Sequence, residues 1–544
     1  MPELQALIDS YYQAWFRFHP EFAVELGVEG YGHLLTPCDD NDIGALISLN
    51  EKLLNSVEEL DSKAISPAAR LDAHVLYGGA LLELERLAEQ DWRRRDPARF
   101  LPVNAIYQLT VREVENPRHA LTSRLQAIPG YLREARTFLH EEPEQIPLLW
   151  LESAITEANE GAVYFRGLRH HPRFAEHQLD SELETAAHAL EDYAAFLERD
   201  LAPIARGDFA CGREYFDMLL RYRHGLSLTA DELHAFGQRL FETTLAELKA
   251  ETQRLRGDAD VAAQTRQIQA RHPAAADLLS AYREGMEAAR EYVSQHQLVT
   301  LPAAEKLKVV ETPGFLRHVI PFAAYMEPTP GDSQQKGRYY VTPAETDAAL
   351  GEHNLASLRH TCVHEAWPGH HCQFVTANLT PVASTLPRLT NRSATLYEGW
   401  ALYCEQLMQE QGFLDAPESR FILLKDRLWR ALRIMLDVEL HTRGLDVESA
   451  AQRMQDALGF TREQAMADLT WYSRAPSVPM GYATGWALIM ATRERLQIMD
   501  KAFDLREFHD RLLAEGSIAL PYVLKQQFGD TLWDSVRREV FETA

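Results

Sequence analysis

The chain has 544 residues, 46% of them hydrophobic and 25% charged, enough to bury one large core or two adjoining ones. A formal charge of −25 argues against nucleic acid or an anionic membrane surface as a partner, because like charges repel. The five cysteines, Cys38, Cys211, Cys362, Cys372 and Cys404, are scattered and odd in number, which argues against a disulfide framework.

No apolar run approaches the roughly 20 residues that cross a bilayer. The first residues, Met1-Pro2-Glu3-Leu4-Gln5, carry neither a basic n-region nor an apolar h-region, so a cytoplasmic location is expected. Taken in chain order, apolar residues recur at helical spacing over 53–60, 69–87 and 183–197, which predicts a mainly α fold. Gly225-Leu226-Ser227-Leu228 reads as a joint, dividing the chain into an N-terminal helical region, 1–225, and a catalytic region, 226–544, packed as one unit. Thr229-Ala230-Asp231-Glu232 has the form of a capping box and predicts a long helix running toward Arg256. Another helix is expected over 277–292.

Short strands are expected at 307–310 and 337–342, where β-branched and aromatic residues sit between glycines and prolines. They would form a small sheet beside the active-site helix, able to bind extended peptide by edge pairing. The polar, breaker-rich loop from Glu327 to Lys336 reads as a flap or a plain surface loop.

His364-Glu365-Ala366-Trp367-Pro368-Gly369-His370-His371 carries the chemistry. In an H-E-x-x-H helix the histidines are four apart, about 40° off one face, so both imidazoles reach one Zn²⁺. Here two extra residues intervene. A regular helix would turn His370 about 240° away from His364 and carry His371 about 10 Å along the axis, beyond metal bonds of ~2.1 Å. Pro368 lacks an N–H and clashes with the His364 carbonyl, and Gly369 accepts backbone angles closed to other residues, with positive φ as the expectation. The pair should break or bulge the helix and return His370 to the metal. The alternative is a histidine-rich helix end that Pro-Gly terminates. Cys362 and Cys372 bracket the motif as chemically possible thiolate ligands, with small apolar packing as their other role.

A site with two histidines needs a third ligand and an open position for water. The segment from Ser393 to Gly412 reads as a helix with a serine cap, a glycine stop and a buried stripe of Leu396, Trp400, Tyr403 and Leu407. Glu398 and Glu405 lie near that stripe, seven residues apart, where carboxylates are expensive unless a cation meets them. A helix over 421–440 follows. Arg433, Asp437 and His441, spaced by four, would share a face and could form one network, with His441 steadying an oxyanion or supporting a ligand, or else a structural ion-pair ladder. Tyr482, among prolines and glycines, is the preferred phenol for an oxyanion.

These motifs resemble the DUF885 family, whose pattern is approximately H-E-x-x-P-G-H-x-x-Q followed by E-G-W-A-x-Y-x-E. It is matched by His364, Glu365, Pro368, Gly369, His370 and Gln373, then by Glu398, Gly399, Trp400, Ala401, Tyr403 and Glu405. Weaker likeness runs from the Tyr-Tyr-Gln-Ala-Trp segment, Pro20 and Leu26-Gly27, through Gly237, to Tyr482 and Gly485. The resemblance implies a zincin-like, gluzincin-type metallohydrolase with one Zn²⁺ held by His364, His370 and Glu398, and with Glu365 as general base. His371 falls at a position the pattern leaves open. The expected activity is hydrolysis of short peptides. A non-peptide amide or ester substrate, or a non-catalytic zinc protein, stands as the alternative.

Overall fold

The computed structural model describes residues 2–61, 63, 65–317, 320, 322–344 and 346–542. Helices dominate, and among the described residues there is one sheet of three strands. The chain divides into two compact units. The first comprises Met1–Phe209 with Pro313–Val319 and Thr329–Asp332, and the second comprises Ala210–Thr312, Ile320–Pro328 and Ser333–Ala544.

The division therefore falls before Ala210 and not at the expected 225/226 joint. Hydrogen bonds explain the difference. The Cys211 N–H donates to His441 Nδ1 at 3.4 Å and the Gly212 N–H to the His441 carbonyl at 3.1 Å, which ties the following helix, Arg213–Met218, to Ser419–Thr442. Gly225, at φ +63°, turns the chain inside the second unit.

In the first unit, the Tyr-Tyr-Gln-Ala-Trp run belongs to the helix Pro2–Trp15. Tyr11 donates to Asn50 at 2.8 Å, while Asn50 and Trp15 both donate to Glu83 at 2.9 Å. His19 meets the other Glu83 oxygen at 2.8 Å. Burial raises the Glu83 carboxyl, but the His19 charge and the three donors outweigh it and hold the group at about 2. One carboxylate thus clamps the first helix to Asp40–Glu58 and Pro67–Glu89.

In the second unit, Thr229 and Glu232 form both halves of a capping box, starting the helix Ala230–Arg256 that packs on Ser419–Thr442. The helices Ala394–Glu410 and Gly481–Met499 cross at Gly399 and Gly485. A Cβ on Gly485 would lie 2.0 Å from the Thr395 carbonyl oxygen, so this crossing exists only because both positions lack a side chain. Strand β1 (Lys306–Glu311) pairs in parallel with β3 (Lys336–Val341), Lys306 opposite Lys336. Strand β2 (Ala323–Met326) pairs antiparallel to β3, Ala323 opposite Val341. The first two were expected; β2 was not, because Ala-Ala-Tyr-Met has little β-branched content and its pairing comes from β3.

The loop from Glu327 to Lys336 is tethered at both ends. Glu327 pairs with Arg392, and buried Gln335 accepts from Asn378 at 2.9 Å. All five cysteines are buried free thiols. Among the described residues, no helix is long and apolar enough to cross a membrane.

Three buried histidines of the second unit are held neutral. Burial drives His224 down to about 3, between the hydroxyls of Ser393 and Ser477 at 2.9 Å each. It drives His353 to about 4 beside the Tyr282 hydroxyl, and His509 to about 4 between the Leu298 carbonyl and the Tyr403 hydroxyl. Their folded pKa values lie below the unfolded value of about 6.5, so below that pH the unfolded chain binds more protons and stability falls as pH falls. Each imidazole should cost about 1.4 kcal/mol per pH unit between roughly pH 6 and its folded pKa. Denaturant titrations from pH 7 to 5 check this, and His224→Asn should reduce the slope by one proton.

Candidate metal centre

The helix carrying the motif ends where the proline and glycine stand. Leu355–Glu365 is the first helix and His370–Leu379 the second, joined through Ala366-Trp367-Pro368-Gly369 with a cis Trp367–Pro368 bond. The two extra residues are absorbed at this break, where the Gly369 N–H donates to the Val363 carbonyl at 3.1 Å and the Cys372 N–H to that of Ala366 at 3.2 Å. Trp400 of the facing helix donates from Nε1 to the Pro368 carbonyl at 2.8 Å, so one half of the motif fastens the other.

Gly369 does not take the expected positive φ. Its φ is −67° and its ψ is −134°. Close approach imposes the glycine instead, since a Cβ there would lie 1.9 Å from the His364 carbonyl oxygen and 2.4 Å from that of Val363.

This path brings His364, His370 and Glu398 together. One ligand atom from each lies within 4.8 Å of the others, and among the described residues they form the one group of three or more such side chains. Glu398 Oε2 is 3.2 Å from His370 Nε2 and 3.6 Å from His364 Nε2, yet it is buried without a hydrogen-bond partner. His364 Nδ1 faces Glu405 Oε1 at 2.8 Å. With that proton on Nδ1, the Nε2 lone pair faces a carboxylate oxygen, a repulsion that a second proton on the ring or a cation between the two would relieve.

The electrostatics agree. Burial alone would lower the His364 imidazole, but Glu398 and Glu405 raise it to about 10. Glu398 is itself held below the ordinary carboxylate range, since His370 and His364 outweigh the burial that would raise it. Two nitrogens and a carboxylate with one vacant oxygen fit Zn²⁺ by donor type.

Glu365 follows His364, is half-buried, and is raised chiefly by burial against the lowering by His364 and His370. The Tyr482 ring stands 6.4 Å from that of His364 and near parallel to it, with the Arg433 guanidinium 4.6 Å over its face. Burial first, then Glu398, raises its phenol well above the ordinary value, so it is a neutral donor.

His371 turns away from the cluster. Its Nε2 meets Glu305 at 3.0 Å and its Nδ1 accepts from the Tyr325 hydroxyl at 2.9 Å, which ties the metal-motif helix to β2. Arg290 donates to the second Glu305 oxygen at 2.6 Å.

His441 is not brought to the cluster either. Its Nε2 donates to the Tyr472 carbonyl at 3.0 Å, and its Nδ1 receives the Cys211 N–H. Of the expected Arg433–Asp437–His441 network, His441 Nε2 and Asp437 Oδ1 keep a long ion-pair contact at 3.9 Å, while the hydrogen bonds go to different partners. Arg433 donates to the Tyr472 hydroxyl at 2.7 Å. Asp437 accepts from the Ser477 and Met480 N–H groups at 3.1 and 3.2 Å, just before the helix that carries Tyr482, and burial raises its carboxyl to about 8. Spacing by four placed all three on one helix, but their partners come from other segments.

Neither Cys362 nor Cys372 joins the cluster; Cys362 faces the Tyr282 carbonyl at 3.6 Å, and burial pushes the Cys372 thiol to about 12. The residue that sequence analysis missed is His360, whose Nδ1 lies 3.2 Å from Glu405 Oε2. Its signal was a histidine four residues before His364, on the same face of one helix.

Residues 20–527 match a family described as bacterial protein of unknown function, DUF885. No curated protein matches. Two solved structures share the fold. One, described as a "putative lipoprotein of unknown function" from Shewanella oneidensis, is 20% identical, with a TM-score of 0.77 over 96% of this chain and 99% of that one. The other, a "putative lipoprotein" from Colwellia psychrerythraea, is 18% identical, with a TM-score of 0.79 over 99% of this chain and 100% of its own. These descriptions overturn the cytoplasmic expectation. That expectation rested on the first few residues alone.

Gly369→Ala tests the close approach. The added methyl has only backbone oxygens to displace, so the break must open, at a cost at or above the 1–3 kcal/mol typical of overpacking. The expected outcome is a lower melting temperature together with lost zinc binding, measured by calorimetry and metal titration.

Proposed function

We propose that this chain, which belongs to the DUF885 family, is a zinc-dependent hydrolase of peptide bonds acting on short peptides. The observation that carries the proposal is Glu398 Oε2, buried without a hydrogen-bond partner and facing two imidazole nitrogens. His364, His370 and Glu398 would hold one zinc ion. When bound, zinc supplies a Lewis acid that lowers the pKa of water and polarises a carbonyl.

Glu365 supports a catalytic role over a purely structural site, because a structural zinc needs no neighbouring base. Its carboxylate takes a proton from the attacking water and passes it to the leaving nitrogen. Burial raises its pKa above the ordinary range, which improves it as the acid in the second transfer. Tyr482 Oη donates a hydrogen bond to the oxygen that gains charge, and Arg433 over its ring stabilises the phenol where negative charge gathers. The sheet edge at β2, tied to the motif helix through Tyr325 and His371, is suited to align an extended peptide beside His370. By likeness to its structural relatives, the proposed place of work is at or outside a membrane, testable by cell fractionation.

Three substitutions separate the roles. Glu365→Gln should keep zinc and the fold while peptide turnover falls by about 10²–10⁴-fold, since the amide cannot accept the proton. Normal turnover would remove Glu365 from the mechanism. Glu398→Gln should lose zinc as well as activity, read by metal analysis of the purified protein. Tyr482→Phe should lower kcat by about 10²–10³-fold with KM little changed, the pattern of a donor used in the transition state.

A further inference from the structure

His360 lies outside the metal-ligating set, is 2% exposed, and shares a carboxylate with a proposed ligand. Glu405, also 2% exposed, places Oε1 at 2.8 Å from His364 Nδ1 and Oε2 at 3.2 Å from His360 Nδ1. The two imidazoles stand one turn apart on the Leu355–Glu365 helix, and Glu405 stands two turns beyond Glu398 on the facing helix. His360 Nε2 is buried with no hydrogen-bond partner. An imidazole with one nitrogen unsatisfied in the interior is costly, and its bond to Glu405 is the polar contact that offsets this cost.

We propose that His360 is a positioning residue for the metal centre: it pins the Glu405 carboxylate so that His364 keeps its proton on Nδ1 and presents Nε2 to the ion. A buried carboxylate bonded through one oxygen alone would be left with an unsatisfied charged acceptor and would rotate to find a donor. Bonded through both oxygens, it has one orientation, and that orientation fixes the tautomer and plane of His364. Asp426 and Arg430, on the helix Ser419–Thr442, also act on this group, Arg430 favouring the ionised Glu405. The inference rests on the proposed zinc site and adds a residue that no ligand count would reveal.

The test uses the full chain, metal-free and then titrated with zinc against a competing chelator, with apo melting temperature recorded in parallel. His360→Asn keeps a donor where Nδ1 stood, and His360→Leu keeps bulk without one. The expected result is zinc affinity within about threefold of wild type for His360→Asn and about tenfold weaker or worse for His360→Leu, the low end for changes behind a metal ligand. His360→Gln, whose amide falls nearer the place of Nε2, should resemble His360→Leu and stands in for it if the leucine variant does not fold. A merely structural histidine would shift the apo melting temperatures and leave the zinc affinities equal, which would overturn the proposal. Equal weakening in His360→Asn and His360→Leu would overturn it too, since the restored donor would then have no effect. A wild-type chain that binds no zinc would instead overturn the reading of the site, and this inference with it.

Discussion

Two carboxylates on one helix face, Glu398 and Glu405, lie inside the protein, and the organisation of the site follows from what each must meet there. Glu405 is bonded through both oxygens to imidazoles of one neighbouring helix. Glu398 keeps one oxygen unpartnered, aimed at His364 and His370. An ionised carboxylate in the interior is costly unless a positive charge or hydrogen-bond donors meet it, and this geometry is what supports the proposed cation site. The raised His364 imidazole expresses that demand as an affinity for a proton.

Getting two histidines onto that carboxylate is a backbone problem. The motif has two residues too many for one helix face, and the chain solves it by ending one helix at Glu365 and starting another at His370. Three features hold the break in place: the Gly369 N–H on the Val363 carbonyl, the Trp400 indole on the Pro368 carbonyl, and the missing Cβ at Gly369. The glycine crossing of Gly399 with Gly485 then draws the helix of Tyr482 against the helix of Glu398. Backbone approach, secured by glycines, sets the relative position of the proposed ion-binding and oxyanion-facing groups.

Much of this was legible beforehand because it is local. Apolar spacing marked several of the longer helices, and the Thr229 capping box and the Ser393 cap marked two starts. The proline and glycine announced a break between the histidines, although the reason for glycine was misjudged: a neighbouring carbonyl, and not positive φ, excludes a side chain. What stayed hidden depends on distant partners. His441 sits at the right spacing from Asp437, but the Tyr472 carbonyl and the Cys211 N–H claim its nitrogens. His371 differs from His370 only by the direction it faces, toward Glu305 and Tyr325, which are 66 and 46 residues away in sequence. Strand β2 and the division before Ala210 likewise depend on pairings that no short window contains.

The most direct test of the account is a crystal structure of the zinc-loaded protein, with anomalous diffraction recorded on either side of the zinc absorption edge. The account predicts one strong anomalous peak, bonded to His364 Nε2, His370 Nε2 and a Glu398 oxygen at about 2.0–2.2 Å, with Glu405 still on His364 Nδ1. A structure with no peak there, or with zinc held by His371 or a cysteine instead, would contradict it.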